Sequence, residues 1–371
     1  MRNKIVAGVL TFLSAAVIVT GCGGTNGGTK GENNSGTNGA SPSASAEATA
    51  KPEKSGVVNV FTARHYDIDF AMFDQFEKET GITVNEIKGT AEELVERMKR
   101  EGESSEADLF ITVDGGVLNY AKESGVLQPI ESETLFSNVP EKFRDKDNNW
   151  VALASRARVI VYAKDRVKPE QLSTYEALAE PQWKGKVVAR SSTNMYNQSL
   201  IASFIELNGE AKTEEWAKGI VANFARDPEG GDRDQAKALA AGIADVAIMN
   251  TYYVGQMLHS KDAEEVKVAE NIGVFFPNQE TTGTHLNISG IGLAAHAKNK
   301  ENALKLAEYM TSKEGQEMLT NGSFEFPVNP AAELPQLLKE WGQFKTQDIQ
   351  YAQLGVNNKA ATELLNRSGW K

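Results

Sequence analysis

Residues 57–84 read VVNVFTARHYDIDFAMFDQFEKETGITV. The β-branched run Val57–Thr62 predicts a strand, and Phe70, Phe73 and Phe76 recur at helical spacing up to Thr80, where Gly81 stops the helix. Ile82-Thr83-Val84 begins the next strand. Outward from this strand–helix–strand unit, Ala91–Glu101 reads as an amphipathic helix, Ala107–Val113 as a strand, and Val117–Glu123 as a helix ending near Gly125. Arg158–Ala163 is the strongest central strand. After Pro181-Gln182-Trp183-Lys184-Gly185 a second series starts at Lys186–Ala189 and continues through helices at Ser199–Leu207 and Lys212–Phe224 to the strand Asp245–Met249. His285–Ala295 is a further strand and Glu301–Thr311 a helix that returns to the first series. The alternation predicts an α/β fold with a mainly parallel sheet. The folded part, about 316 residues, exceeds the usual size of a single core, so two lobes are expected. They divide as 56–157 with 281–330 and 158–280 with 331–371, joined by two crossing strands that make a hinge.

The ends of this folded part are set by what precedes it. Met1–Lys4 is a short basic start and Ile5–Val19 an apolar run of signal-peptide length, so residues 1–21 read as a leader. Val19-Thr20-Gly21-Cys22 resembles the bacterial lipobox, which implies cleavage before Cys22 and lipidation of it. Residues 22–55 are rich in Gly, Ser, Thr and Asn, carry no aromatic residue, and read as a flexible tether. The expected location is extracytoplasmic, lipid-anchored to the cell membrane. The formal net charge of −11 becomes −13 once Arg2 and Lys4 leave with the leader. Such an acidic chain repels phosphate backbones, so nucleic acid is not an expected partner. A single Cys supplies neither an intrachain disulfide nor a sulfur-rich zinc site.

Three short stretches carry donor chemistry at expected carboxyl ends of strands, where open α/β sheets bind ligands. Arg64-His65-Tyr66 follows the first strand. Arg190-Ser191-Ser192-Thr193 with Asn194-Met195-Tyr196 is a polar turn that either offers amides and hydroxyls to an anion or caps a helix, and capping is the better reading of Ser191 and Ser192. Asn250-Thr251-Tyr252-Tyr253 follows an apolar strand, beyond whose pleat both rings can turn inward. Any one of these tyrosines could simply pack. Together, one His and four Tyr would form an oxygen-rich shell for a hard trivalent cation, whose charge would offset phenols that ordinarily ionise near pH 10. Asp67 with Asp69, and Asp232 with Asp234, read as solvated surface pairs; His259 and His296 lie in charged stretches, and His285 is placed to support the hinge.

These stretches, together with Phe275–Glu280 and Gly283-Thr284-His285, resemble the ferric-iron substrate-binding proteins of ABC importers, over essentially all of Val57–Lys371. The resemblance implies a two-lobed periplasmic-binding type II fold with His65, Tyr66, Tyr196, Tyr252 and Tyr253 as metal ligands. Around them Arg64, Arg156, Arg158, Ser191 and Ser192 would act as supporting or anion-binding groups. The cargo would be Fe3+, with Fe2+ and an accessory anion left open, captured by a monomer and delivered to an ABC permease and its ATPase. Some relatives carry an Arg shortly after the tandem tyrosines; here the position is Gln256. An oxyanion, a polyamine or a thiamine-like cation is the alternative cargo. No G-x-S-x-G, H-E-x-x-H or P-loop motif occurs, and Gly290-Ile291-Gly292 falls inside an apolar strand, so the chain is not expected to be an enzyme.

Overall fold

The computed structural model describes residues 56–64 and 66–371; the leader, Cys22, the tether and His65 lie outside the described residues. The described residues form ten strands: β1 (Gly56–Thr62), β2 (Ile82–Lys88), β3 (Leu109–Thr112), β4 (Leu127–Gln128), β5 (Trp150–Ala163), β6 (Val187–Val188), β7 (Val246–Asn250), β8 (Ile272–Phe275), β9 (Leu286–Ala294) and β10 (Phe326–Pro327). They run in the order β2-β1-β3-β9-β5-β7-β6, with β4 on β9 and both β8 and β10 on β5. Among these described strands only the pairs β1–β2, β1–β3 and β6–β7 are parallel. The expectation of a mainly parallel sheet is therefore corrected. Helical crossovers keep the chain parallel within each series, but β9 slots between β3 and β5 running opposite to both, and β7 and β8 oppose β5.

Strand β5 belongs to both halves. Its residues Trp150–Ala157 pair with β9, with a bulge between Ala152 and Ala154, and Arg158–Tyr162 continue along β7. Sequence placed its start at Arg158, because Trp150–Ala157 is Ala-rich and buried on both faces, leaving no alternation to read. One apolar cluster packs the first half around Val58, Phe61, Phe110, Leu118, Val151 and Ile291. The second half has two clusters because the pleat sends Ile160 to one face and Val159 and Val161 to the other. The molecule is thus two-lobed. The chain passes between lobes at Ala157–Arg158 and again before Leu286, and there the Arg158 amide donates to the His285 carbonyl at 2.9 Å. A third passage follows Val328, which packs in the first cluster, and leads to Phe344 in the second lobe.

Local signals fix two helices of the first half. Thr90 caps Ala91–Glu101 with a reciprocal bond to Glu93, and Gly81 at φ 72° ends Asp67–Thr80.

Candidate metal centre

Each of the three donor-bearing stretches turns out to be the start of a helix. Tyr66 is the N-cap of Asp67–Thr80. The Asn194 side chain accepts from the Tyr196 amide and caps Met195–Asn208, which makes Tyr196 the second helical residue. Asn250 precedes Thr251–Leu258, so Tyr252 and Tyr253 occupy its first turn. The tandem tyrosines, expected on the unpleated end of a strand, therefore stand on a helix; the apolar run Val246–Leu258 conceals the boundary. Three helices of eight or more residues bring tyrosines from their N-termini to one place, where unpaired amides and aligned peptide dipoles favour negative charge.

The rings meet there. The Tyr196 and Tyr252 hydroxyls are 3.3 Å apart, the Tyr66 and Tyr252 ring centroids 6.1 Å, and those of Tyr252 and Tyr253 4.2 Å. Burial pushes the Tyr66 and Tyr252 phenols far above their usual range, with Glu325 adding to the effect on Tyr66 and the neighbouring tyrosines to that on Tyr252. Burial likewise raises Tyr253 to about 12. Left alone, these three phenols stay protonated at neutral pH. A cation that takes their protons would gain several anionic oxygens at once.

Beneath the rings lies a buried platform of paired charges. Arg64 binds Asp69 at 3.0 Å and Glu325 at 2.8 Å, and Arg156 binds Glu325 at 3.1 Å; both also donate to Ser289. Arg158 donates to Asp232, Asn250 and Asn197. Asp69 and Asp232, expected at the surface, are therefore buried counter-ions; Asp67 and Asp234 are exposed. An unpaired guanidinium in that position would not be tolerated, which is why one member of each acidic pair turns inward. Burial alone would raise Glu325, but Arg64 and Arg156 hold its carboxyl below the usual range. Guanidiniums face the rings: Arg64 lies 4.6 Å from the centroid of Tyr66, and Arg156, Arg158 and Arg190 lie 5.4, 5.8 and 5.5 Å from that of Tyr196.

Not every expected residue has its expected role. Ser191 bonds Thr193 and the Ser192 amide donates to Lys371, so neither caps the helix; the turn is longer than a cap needs, and Asn194 takes that place. Gln256 accepts from Arg233 and donates to the Ser323 carbonyl. Of the histidines, His259 and His296 are exposed and His285 is buried against Gln347. Nothing near Glu325 in sequence marks it, and Arg190 is legible only as part of its polar turn, not as a residue that faces Tyr196. Among the described residues no group of three or more His, Cys, Asp or Glu could hold a metal.

Residues 104–353 match the family of bacterial extracellular solute-binding proteins. The chain belongs to that family. Among its relatives, this solute-binding protein is 47% identical over 320 residues to iron uptake protein A1 of Synechocystis, covering 86% of this chain and 89% of the relative. It superposes with a TM-score of 0.82 and 48% identity on a Trichodesmium protein solved in complex with iron and citrate, over 85% of this chain and all of the other. The ferric binding protein of Campylobacter jejuni gives 0.81 and 42% with the same coverage. The two-lobed architecture is thus that of the periplasmic-binding fold, and this solute-binding protein is not an enzyme.

Proposed function

We propose that the chain captures Fe3+ in the cleft between its lobes and delivers it to an ABC permease and its ATPase. The ligands are Tyr66, Tyr196, Tyr252 and Tyr253, with His65, adjacent to Tyr66 in sequence, as the fifth. The observation that carries this reading is the gathering of four tyrosines from three helix N-termini, with the Tyr196 and Tyr252 hydroxyls 3.3 Å apart. Ferric ion is hard and triply charged, and phenolate oxygen is the hardest donor this site offers. Proteins of high identity whose names specify iron support the same cargo. Capture proceeds by closure of the lobes 56–157 with 281–330 and 158–280 with 331–371 about the crossing strands. The protein works outside the cytoplasm as a monomer, held to the membrane by lipid on Cys22, and Arg64, Arg156 and Arg158 hold the tyrosines from beneath.

The test is a visible absorbance titration of chelator-stripped protein with ferric citrate. A broad tyrosinate-to-iron band should saturate near one iron per chain, and Tyr196→Phe or Tyr252→Phe should weaken binding by about a hundredfold or more without altering the fold. If neither variant differs from wild type, the ligand assignment is wrong. The absence of any band in wild type would point to an organic or oxyanion cargo, with the tyrosines as a stacking wall.

A further inference from the structure

The turn Arg190–Thr193 carries Arg190 to the face of Tyr196 and leads into the helix on which Tyr196 stands, yet it has no regular structure of its own. Its backbone is held by side chains and by a distant part of the chain. The Arg190 carbonyl accepts from Asn197 Nδ2 at 2.8 Å and from Trp370 Nε1 at 2.8 Å. The Ser191 and Ser192 carbonyls accept from Asn197 and Gln198, both from the helix that follows. The Ser192 amide donates to the Lys371 carbonyl at 2.9 Å. Two of these anchors thus come from Trp370 and Lys371.

Trp370 is itself firmly seated. It is buried, with ring centroids 5.0 Å from Phe224 and 6.3 Å from Trp216. Arg190, in contrast, is loosely held at its tip. Its nearest carboxylate oxygen, on Asp232, is 3.9 Å away, too far for a hydrogen bond. Arg156 and Arg158 are fixed by short bonds to carboxylates, whereas Arg190 stands beside Tyr196 because its backbone is placed there.

We propose that Trp370 and Lys371 are positioning residues for the metal centre, a strap that fixes the Arg190–Thr193 turn and through it Arg190 and Tyr196. The proposal rests on the iron-binding reading above. The strap touches no ligand. It acts by keeping the turn in the conformation that coordination requires, so that metal binding does not have to order it.

The backbone of Gly369 offers a way to disturb the strap without removing any contact. Its φ is +78°, and a Cβ there would meet nothing within 4 Å, so a substitution acts through conformation alone. Asn tolerates that region; a β-branched residue does not.

The experiment compares wild type, Trp370→Phe, Gly369→Val and Gly369→Asn, each with and without Tyr196→Phe. Iron affinity is read by competition for ferric citrate and the visible band by absorbance. Trp370→Phe keeps an aromatic ring at the position but removes the indole donor along with part of the buried ring, so the Tyr196→Phe background is what separates the strap from lost packing. Trp370→Phe and Gly369→Val should each weaken iron binding by about tenfold and shift the band, while Gly369→Asn stays within about twofold of wild type. In the Tyr196→Phe background those losses should vanish, which a general loss of stability would not do. Wild-type affinity and an unshifted band in both variants overturn the strap, as does an equal loss with Tyr196→Phe present. A wild-type protein that gives no band overturns the iron reading itself.

Discussion

A buried phenol keeps its proton until something with a stronger claim on the oxygen arrives. Tyr66, Tyr252 and Tyr253 all ionise above their ordinary range because burial penalises the phenolate. As proposed ligands, each would give up a proton to a bound metal, and protons would compete with the metal. Apparent iron affinity should rise with pH, about tenfold per pH unit for each proton displaced. Chelator competition between pH 6 and 8, with proton release followed by titration, checks this; a flat profile would remove the phenolates from the ligand set. At this scale the sequence is legible where donors sit side by side, as Tyr252 and Tyr253 do. It is silent where partners are far apart. Glu325 binds Arg64 from 261 residues away and Arg156 from 169, and Asp69 and Asp232 look like surface acids until their arginines are placed.

The helix Thr251–Leu258 shows how one element places two donors. Gly255 is its inner face: a Cβ there would fall 2.6 Å from the Cβ and Cγ of Phe324, which itself adopts φ 61°. His259, one turn further on, stacks on the same ring at 4.5 Å. Gly255→Ala must push the helix away from Phe324 and carry Tyr252 and Tyr253 with it. Overpacking of this kind costs about 1–3 kcal/mol, so the variant should bind iron at least about tenfold more weakly and melt at a lower temperature. A variant with wild-type iron affinity would mean that the helix start does not depend on this contact. Elements with their own punctuation were readable: Thr90, Glu93 and Gly102 bracket Ala91–Glu101, and the helix lies where the sequence puts it. Elements without it were not, and the tandem-tyrosine helix and the first half of β5 were absorbed into apolar runs.

Across the whole molecule, the lobes are tied where the two crossings meet. Tyr175 donates its hydroxyl proton to the Arg158 carbonyl and accepts from the His285 amide, and His285 Nδ1 pairs with Gln347. Burial depresses His285 to about 4, with Arg158 and Arg156 adding to the effect and Gln347 opposing it. Its folded value lies below the unfolded one, near 6.5, so its contribution is fully present above pH 6.5. That contribution is lost as pH falls from there to about 4, by roughly 3 kcal/mol in all. Melting temperatures from pH 7 to 4 should drop less steeply in His285→Asn than in wild type; equal slopes would exclude His285 as the titrating group. The two-lobed plan was readable from alternation and length, but the direction of β9 was not, because pairing direction depends on how the chain re-enters a sheet. That re-entry orders events during synthesis. β9 fills the gap between β3 and β5, yet both of those leave the ribosome long before it. Until residues 286–294 emerge, two inner strand edges face solvent, and the first lobe cannot finish its sheet. Closure of that sheet over so long a separation in sequence is slow, so the nascent chain remains a loose, chaperone-accessible thread until most of it has been made.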